Sequence, residues 1–170
     1  MAESLALILE NYFSNELIIF LISLLPILEL RGGLIVASLF GVPWHIAAPI
    51  CVIGNFLPIP FIIIFIKRIF EFLKKHGPLK KIVSKIETRG LNKGKVLIEK
   101  YPTRVLLGLF IFVGIPLPMT GAWTGALIAA LFDIPYKKAI PTIFFGICMA
   151  CIIMLLLAYA IPGLFGFTVN

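Results

Sequence analysis

The chain has 170 residues, of which 61% are hydrophobic and 14% are charged, and its mean hydropathy is +1.09. Soluble domains are about half apolar and a quarter charged, and disordered segments are poorer still in apolar residues, so both classes are excluded. Three cysteines are too few for a disulfide scaffold. The composition therefore predicts an all-α integral membrane protein, which we expect in the plasma or inner membrane as a multi-pass protein.

The first half begins with an acidic segment, 1–16, that contains three glutamates and no lysine or arginine. This is the reverse of the basic start of a signal peptide, and we expect the segment to lie outside the cytoplasm. Residues 17–40 follow as an apolar region that is broken near its centre by proline, charged residues and glycines. Residues 44–66 are uninterrupted and reach the roughly 20 residues that a membrane span needs.

A basic segment, 67–102, separates the two halves. Of the 15 Lys and Arg residues, 12 fall between Lys67 and Arg104, against three acidic residues. Short loops rich in Lys and Arg stay in the cytoplasm, so the segment is predicted to be cytoplasmic. Its apolar spacing predicts an amphipathic helix on the membrane surface, where it would contact anionic lipid head groups. Binding of nucleic acid is not expected.

The second half has the same organisation as the first. Residues 103–132 form an apolar region that is broken at Pro116, Pro118 and Gly121, and 139–161 form a second full span before the tail at 162–170. Shifting the first half by 92 positions aligns the two without a gap. The shift superposes identical prolines and glycines, and these residues fix backbone shape. The sequence therefore predicts a duplicated structural unit. The identical pairs include Pro26/Pro118, Gly33/Gly125, Pro43/Pro135, Pro49/Pro141 and Gly54/Gly146.

Each broken region is interpreted either as a re-entrant helical hairpin or as a kinked full span. Lys137 and Lys138 favour the hairpin, because two hairpins would leave these lysines in the cytoplasm and two full spans would place them outside. With one hairpin and one transmembrane helix in each repeat, the repeats are necessarily inverted.

The segments PILELRGGLIVA, from Pro26, and GIPLPMTGAWTGALIAA, from Gly114, on either side of the basic loop, resemble the small multidrug export family. That family is similar to the DedA/VTT superfamily of membrane proteins. The resemblance implies an inverted repeat with two re-entrant hairpins and, in the wider superfamily, the movement of lipids or polyprenyl phosphates. The chain departs from that superfamily in the first hairpin, where Glu29-Leu30-Arg31-Gly32-Gly33 replaces its proline-glycine-glutamate signature, and in the second hairpin only Arg104 is available to stand for its arginines.

Glu29 and Arg31 are the strongest candidates for a functional site, since a charge inside the bilayer costs at least about 2.5–3.5 kcal/mol and needs a partner or a purpose. At an unwound hairpin tip both side chains can point into one cavity. We expect Arg31 and the backbone N–H groups near Gly32, Gly33 and Gly121 to bind an anionic head group, with Glu29 exchanging a proton or balancing charge. The alternative is a buried ion pair that fixes the tip.

The opposite tip contributes Pro118, Thr120, Trp123 and Thr124, whose polar groups either contact the substrate or repair the broken backbone. Two further candidates lie outside the tips. Asn55 is a polar residue within a span and either lines the cavity or bonds a neighbouring helix. Arg104 begins the second hairpin and either attracts substrate or reaches lipid head groups.

No phosphate-binding loop and no pairing of a nucleophile with a base is present, so an enzyme is not expected and no cofactor is predicted. Cys148 and Cys151 have the spacing of a metal pair but lie in an apolar span, where buried cysteines behave as small apolar residues, so no metal is predicted.

The sequence therefore predicts a secondary transporter, proton- or ion-coupled, for an anionic or amphipathic substrate such as a lipid phosphate or polyprenyl phosphate. One alternative is a cationic multidrug exporter that uses Glu29 as its binding carboxylate. Another is a membrane scaffold that transports nothing. Since two full spans cannot easily enclose two hairpins, we also expect a homo-oligomer, most simply a homodimer.

Overall fold

A computed structural model describes residues 14–75, 99–117 and 120–160, and every regular element within these ranges is helical. The elements of the first half are α1 (Asn15–Leu24), α2 (Glu29–Leu39), α3 (Trp44–Phe56) and α4 (Pro58–Lys75). Those of the second half are α5 (Pro102–Gly114), α6 (Ala122–Leu131) and α7 (Tyr136–Leu155), which ends in a π-helical turn (Leu156–Ala160). The all-helical prediction is confirmed for the described part of the chain.

Two helical stretches are long and apolar enough to cross a membrane. The first, Trp44–Ile66, joins α3 to α4 through Leu57, which keeps a right-handed helical conformation. The second, Tyr136–Tyr159, begins three residues before the predicted 139–161. Their outer surfaces are apolar, and Ile152, for example, is 61% exposed. Such a surface suits lipid rather than water.

The remaining helices are short because each broken region contains a true interruption. Ser14 caps α1, its Oγ accepting from the Leu17 N–H at 3.4 Å, and α1 ends at Leu24. Pro26 lies in the turn that follows, and α2 begins at Glu29, five residues before the arm predicted from Leu34. Helices of 10 to 13 residues are roughly 15–20 Å long, against a hydrocarbon layer of roughly 30 Å.

The turns that lead into the two long helices have the same conformation at the predicted 92-residue spacing. Gly41 has a φ of 66° and Asp133 has a φ of 58°, and each follows the last turn of its helix. The N–H one residue later, at Val42 or Ile134, donates at 2.9 Å to a carbonyl five residues back. These turns redirect the chain into α3 and α7, which begin after Pro43 and Pro135.

Equivalent glycines also pack in equivalent surroundings. A Cβ on Gly33 would meet Cys51 and the Ile19 carbonyl, and a Cβ on Gly125 would meet Val113 and Leu109. On the long helices, a Cβ on Gly54 would lie 2.8 Å from the Phe20 carbonyl oxygen. The corresponding atom on Gly146 would lie 2.8 Å from the Val113 Cβ and 3.1 Å from the Phe110 carbonyl oxygen. In both halves, therefore, the short helices and the long helix approach closely at matched glycines.

The two halves also interlock with each other. Helix α4 of the first half packs on α6 of the second, and α2 packs on α7 and its π-helical end. The Ser38 hydroxyl donates to the Ala158 carbonyl at 2.8 Å, and the Tyr159 hydroxyl donates to the Val42 carbonyl at 2.9 Å. Phe56 on α3 meets Phe144 on α7 edge to face, with ring centroids 5.0 Å apart. These contacts bring the two breaks together.

Several predicted segments fall outside the described residues. They are most of the acidic segment 1–16, the centre of the basic segment 67–102 with its predicted surface helix, and the tail at 162–170. Helix α4 continues to Lys75, nine residues past the predicted end of the first span.

The contacts of three helical glycines predict different changes in stability when each is replaced by alanine. Gly54→Ala and Gly146→Ala insert a methyl group against backbone or branched side-chain atoms, so each is expected to cost about 1–3 kcal/mol. Gly108→Ala on α5 is the matched control, since nothing lies within 4 Å of its Cβ position, and it is expected to leave stability unchanged or raise it. Thermal unfolding of the purified protein in detergent measures the three values. A loss for Gly108→Ala equal to that for Gly146→Ala would contradict the packing described.

Candidate functional site

The two chain breaks face each other across a cavity of about 580 Å³. Its wall contains apolar side chains from both breaks, two threonines and two charged residues. The lining residues are Pro26, Ile27, Leu28, Glu29, Arg31, Gly32, Ile35, Pro116, Thr120, Thr124 and Met154. Sequence reasoning had selected five of these residues for a binding site: Glu29, Arg31, Gly32, Thr120 and Thr124.

Glu29 is the acidic member of the site and is only 6% exposed. Its Oε1 accepts from the Trp123 N–H at 3.2 Å, and its Oε2 accepts from the Ala122 N–H at 3.4 Å. These are the first two N–H groups of α6, which have no carbonyl partner within their own helix. A carboxylate here also neutralises the positive end of the helix dipole. Glu29, from the first half, therefore caps a helix of the second half.

Gly121 makes this capping geometry possible. Its φ of 156° and ψ of −174° place its backbone in a region that residues other than glycine rarely adopt. A Cβ on Gly121 would overlap the Glu29 carboxylate. Glu29 itself has a φ of 50°, unusual for a residue with a side chain, so the backbone on both sides of this contact is constrained.

Arg31 binds the other end of the same break. Its guanidinium donates to the Leu117 carbonyl, to the Ile115 carbonyl at 3.3 Å and to the Thr120 Oγ1 at 3.2 Å. Ile115 is the C-cap of α5, so these acceptors lie at the negative end of that helix. The Thr120 hydroxyl lies 2.9 Å from the Ile115 and Leu117 carbonyl oxygens and folds the connecting segment back on itself.

Glu29 and Arg31 thus hold the two helix ends on either side of the second break. The acid holds the start of α6, the base holds the end of α5, and both come from the first turn of α2. Their hydrogen-bond partners lie in the opposite half of the chain. This differs from the simple ion pair that the sequence suggested as an alternative, and the N–H groups of α6 that were expected to bind an external anion receive the Glu29 carboxylate.

The glycines of the first break are placed differently from the expectation of an unwound tip. The Gly32 N–H donates to the Leu28 carbonyl at 2.8 Å, so it is engaged within the first turn of α2. Gly33 lies inside α2 and packs against Ser23 and Cys51. Gly32 and Gly33 do not unwind the chain, because they allow neighbouring helices to pack closely against α2. The break itself is made by Pro26 and the turn after α1.

The other predicted site residues are spread over the molecule. Trp123 is partly buried beside the cap, and its Nε1 has no hydrogen-bond partner among the described residues. Asn55 is fully buried on α3, and neither of its amide atoms has a partner in the described part of the chain. Arg104 is exposed at the start of α5, 5.0 Å from the centre of the Tyr101 ring, and does not line the cavity. Pro118 lies outside the described residues.

Sequence reasoning missed part of the cavity wall. Ile27, Ile35 and Met154 carry no polar signal, and their contribution follows only from the way the halves pack. Pro116 was recognised as part of the break but was not selected as a lining residue. Among the described residues no group of three or more His, Cys, Asp or Glu could hold a metal ion.

Comparison with known proteins gives one match. A family model described as "Putative small multi-drug export protein" matches residues 29–153, which make up well over half of the chain and include both charged residues of the cavity. Searches of curated proteins and of solved structures found no match.

The contact between Gly121 and the Glu29 carboxylate predicts an energetic coupling. Gly121→Ala is expected to cost about 1–3 kcal/mol through backbone strain and overlap with the carboxylate. Glu29→Ala leaves the start of α6 uncapped and is expected to cost about 0.5–2 kcal/mol. In the double variant the overlap disappears, so its loss of stability should be smaller than the sum of the losses in the two single variants. Thermal unfolding of all four proteins measures the coupling, and strict additivity would argue against this geometry.

Proposed function

The chain belongs to the small multi-drug export family, and from that membership we propose that it is a secondary transporter for an amphipathic substrate that carries an anionic group. Together, the family and the apolar helices assign it to the membrane proteins and to transport as its general activity. The cavity between the two breaks is the proposed substrate site, and its mixed lining is the observation that carries the proposal.

The lining fits a molecule that is mostly apolar with one polar end. Six of the eleven lining residues have apolar side chains, and the ionisable ones are Glu29 and Arg31. Two buried donors at this tip, the Arg31 Nε and the Trp123 Nε1, have no acceptor among the described residues. A buried donor without an acceptor is costly, and the oxygens of a phosphate or carboxylate group in the cavity would satisfy the Nε of Arg31, which lines it. A lipid phosphate or polyprenyl phosphate has this combination of an apolar body and an anionic end.

The proposed membrane arrangement places both short helix pairs as re-entrant hairpins of inverted repeats. Helices of 10 to 13 residues are too short to cross alone, and irregular backbone at membrane depth is tolerated only where protein or a water-filled cavity covers it. For the second break, the hydrogen bonds from Glu29 and Arg31 contribute to that cover. Broken helices whose ends meet near the centre of the bilayer are a recurring design of substrate sites in secondary transporters.

Glu29 also offers a means of ion coupling. As a carboxylate it accepts two N–H groups of α6, with Arg31 two residues away on the same turn. Protonation would remove its charge and weaken both hydrogen bonds, because a charged acceptor binds about twice as strongly as a neutral one. The start of α6 would then be free to receive the anionic group of a substrate, so proton and substrate would alternate at one helix end.

Export of a cationic compound is the second candidate, because the cavity contains a carboxylate and the family is named for multidrug export. In that mechanism Glu29 itself would bind the substrate. A third possibility, a scaffold without transport, would use the same capping contacts for structure alone. Arg31 cannot separate these mechanisms, since its hydrogen bonds to Ile115 and Thr120 stabilise the break in each of them.

Transport assays in liposomes test the proposal. We expect proton-driven flux of a short-chain polyprenyl phosphate, reduced at least tenfold by Glu29→Gln and severalfold by Thr124→Val, a change at a polar residue of the cavity wall. Glu16→Gln is the matched control, because Glu16 is an exposed carboxylate on the first turn of α1 and should leave flux unchanged. Ethidium is the cationic probe. Flux of ethidium alone would favour cation export, and flux of neither compound would favour the scaffold.

The re-entrant arrangement predicts the sidedness of single cysteines. Ser14 and Trp44 bracket the first broken region, and Thr103 and Lys138 bracket the second. Re-entrant hairpins place both members of each pair on one side, so Ser14→Cys and Trp44→Cys should react with an impermeant maleimide from outside, and Thr103→Cys and Lys138→Cys from the cytoplasm. The unmodified chain provides the background, since Cys51 and Cys151 are buried and Cys148 is partly exposed. Labelling of Ser14→Cys and Trp44→Cys from opposite sides would establish a kinked full span.

A further inference from the structure

A second, smaller depression lies between α5 and α6 and shares no residue with the cavity described above. It has a volume of about 240 Å³. Val105, Leu109 and Phe112 form its α5 side, and Ile128, Phe132 and Ile134 form the side of α6 and the turn that follows. All six side chains are apolar, so this groove offers no group to a polar ligand.

Gly108 lines the groove and leaves space above it. The other helical glycines described above allow two helices to approach, but nothing lies within 4 Å of a Cβ position on Gly108. The space over this residue is therefore open. Leu107, beside it on α5, is 53% exposed, so the surrounding surface is also apolar. The groove runs from Val105 to Phe112, about two helical turns or roughly 10 Å.

Positive charge gathers at one end of this groove. The Lys100 Nζ lies 5.5 Å and the Arg104 guanidinium 5.0 Å from the centre of the Tyr101 ring, and Val105, the first residue of the groove, donates its N–H to the Tyr101 carbonyl at 3.1 Å. Both cations are exposed. At the other wall, Ile134 is followed by the exposed Lys137 and Lys138 in the first turn of α7.

The described segments that flank the groove carry a net positive charge. They contain four cations (Lys100, Arg104, Lys137 and Lys138) and two carboxylates (Glu99 and Asp133), a net charge of +2. An apolar groove flanked by an excess of cations is complementary to a molecule with a long hydrocarbon chain and an anionic head. Each Lys or Arg near such a head adds about 1 kcal/mol to the binding free energy. This corresponds to roughly a fivefold change in affinity.

We propose that this groove binds an anionic phospholipid, with one acyl chain lying over Gly108 and the phosphate against Lys100 and Arg104. Tyr101, between the two cations, holds them at the level of the head group, as aromatic residues do at membrane interfaces. The site is separate from the transport cavity and does not depend on the function proposed for that cavity. It assigns to Arg104 the role of holding a lipid, rather than that of contacting the transported substrate.

Native mass spectrometry of the full-length protein tests the site. The protein is purified in detergent and titrated with dioleoyl phosphatidylglycerol or, as the zwitterionic comparison, dioleoyl phosphatidylcholine. We expect the unmodified protein to prefer the anionic lipid. Lys100→Gln and Arg104→Gln should each reduce that preference roughly fivefold, from the loss of one cation at the head group. Arg68→Gln is the matched control, because Arg68 is an exposed cation over an aromatic ring, Phe65 at 5.9 Å, on a different helix.

Gly108→Leu tests the acyl chain separately from the head group. A leucine would fill the open space, so binding of both lipids should fall by a similar factor of severalfold, while Gly108→Ala should have a smaller effect. Wild-type lipid binding by Gly108→Leu, or equal effects of Arg104→Gln and Arg68→Gln, would overturn the proposal. So would loss of a dimeric mass in Gly108→Leu with unchanged lipid binding, since the groove would then accommodate a second copy of the chain.

Discussion

The structure depends on hydrogen-bond partners for the two helix ends at the second break. An interrupted helix leaves N–H groups at one end and carbonyl groups at the other without partners, and inside a bilayer each such group costs several kcal/mol. Here two charged side chains from one turn of α2 supply both kinds of partner: Glu29 accepts at the start of α6, and Arg31 donates at the end of α5. These contacts hold the two breaks next to each other, and the cavity lies between them.

Much of the fold follows from the sequence, because uninterrupted apolar stretches and positions of proline are local signals. The two long helices and the two breaks could be predicted in this way, and the turns at Gly41 and Asp133 lie at the 92-residue spacing that the sequence comparison predicts. The residue at which α2 begins was harder to predict from the sequence. Gly32 and Gly33 suggested an unwound segment, but glycine serves helix breaking and close helix packing equally well, and only the neighbours of Gly33 distinguish the two uses.

The partners of the charges could not be predicted for a different reason. Sequence reasoning placed Glu29 and Arg31 correctly at a break, since charge in an apolar region requires compensation. Apart from the Thr120 hydroxyl, the groups that compensate them are backbone atoms 84 to 94 residues away, and backbone atoms leave no mark in the sequence. For the same reason the apolar wall at Ile35 and Met154 could not be identified, whereas the polar lining at Thr120 and Thr124 could.

The separation of these partners along the chain also affects how the protein is made. When a ribosome has completed the first half, Glu29 and Arg31 have been synthesised, but Ile115, Ala122 and Trp123 have not. During that interval both side chains lack the hydrogen-bond partners that they have in the finished fold. The contacts between the two breaks therefore form only after α6 has been synthesised, so the assembly of the two halves is a late step in the folding of the chain.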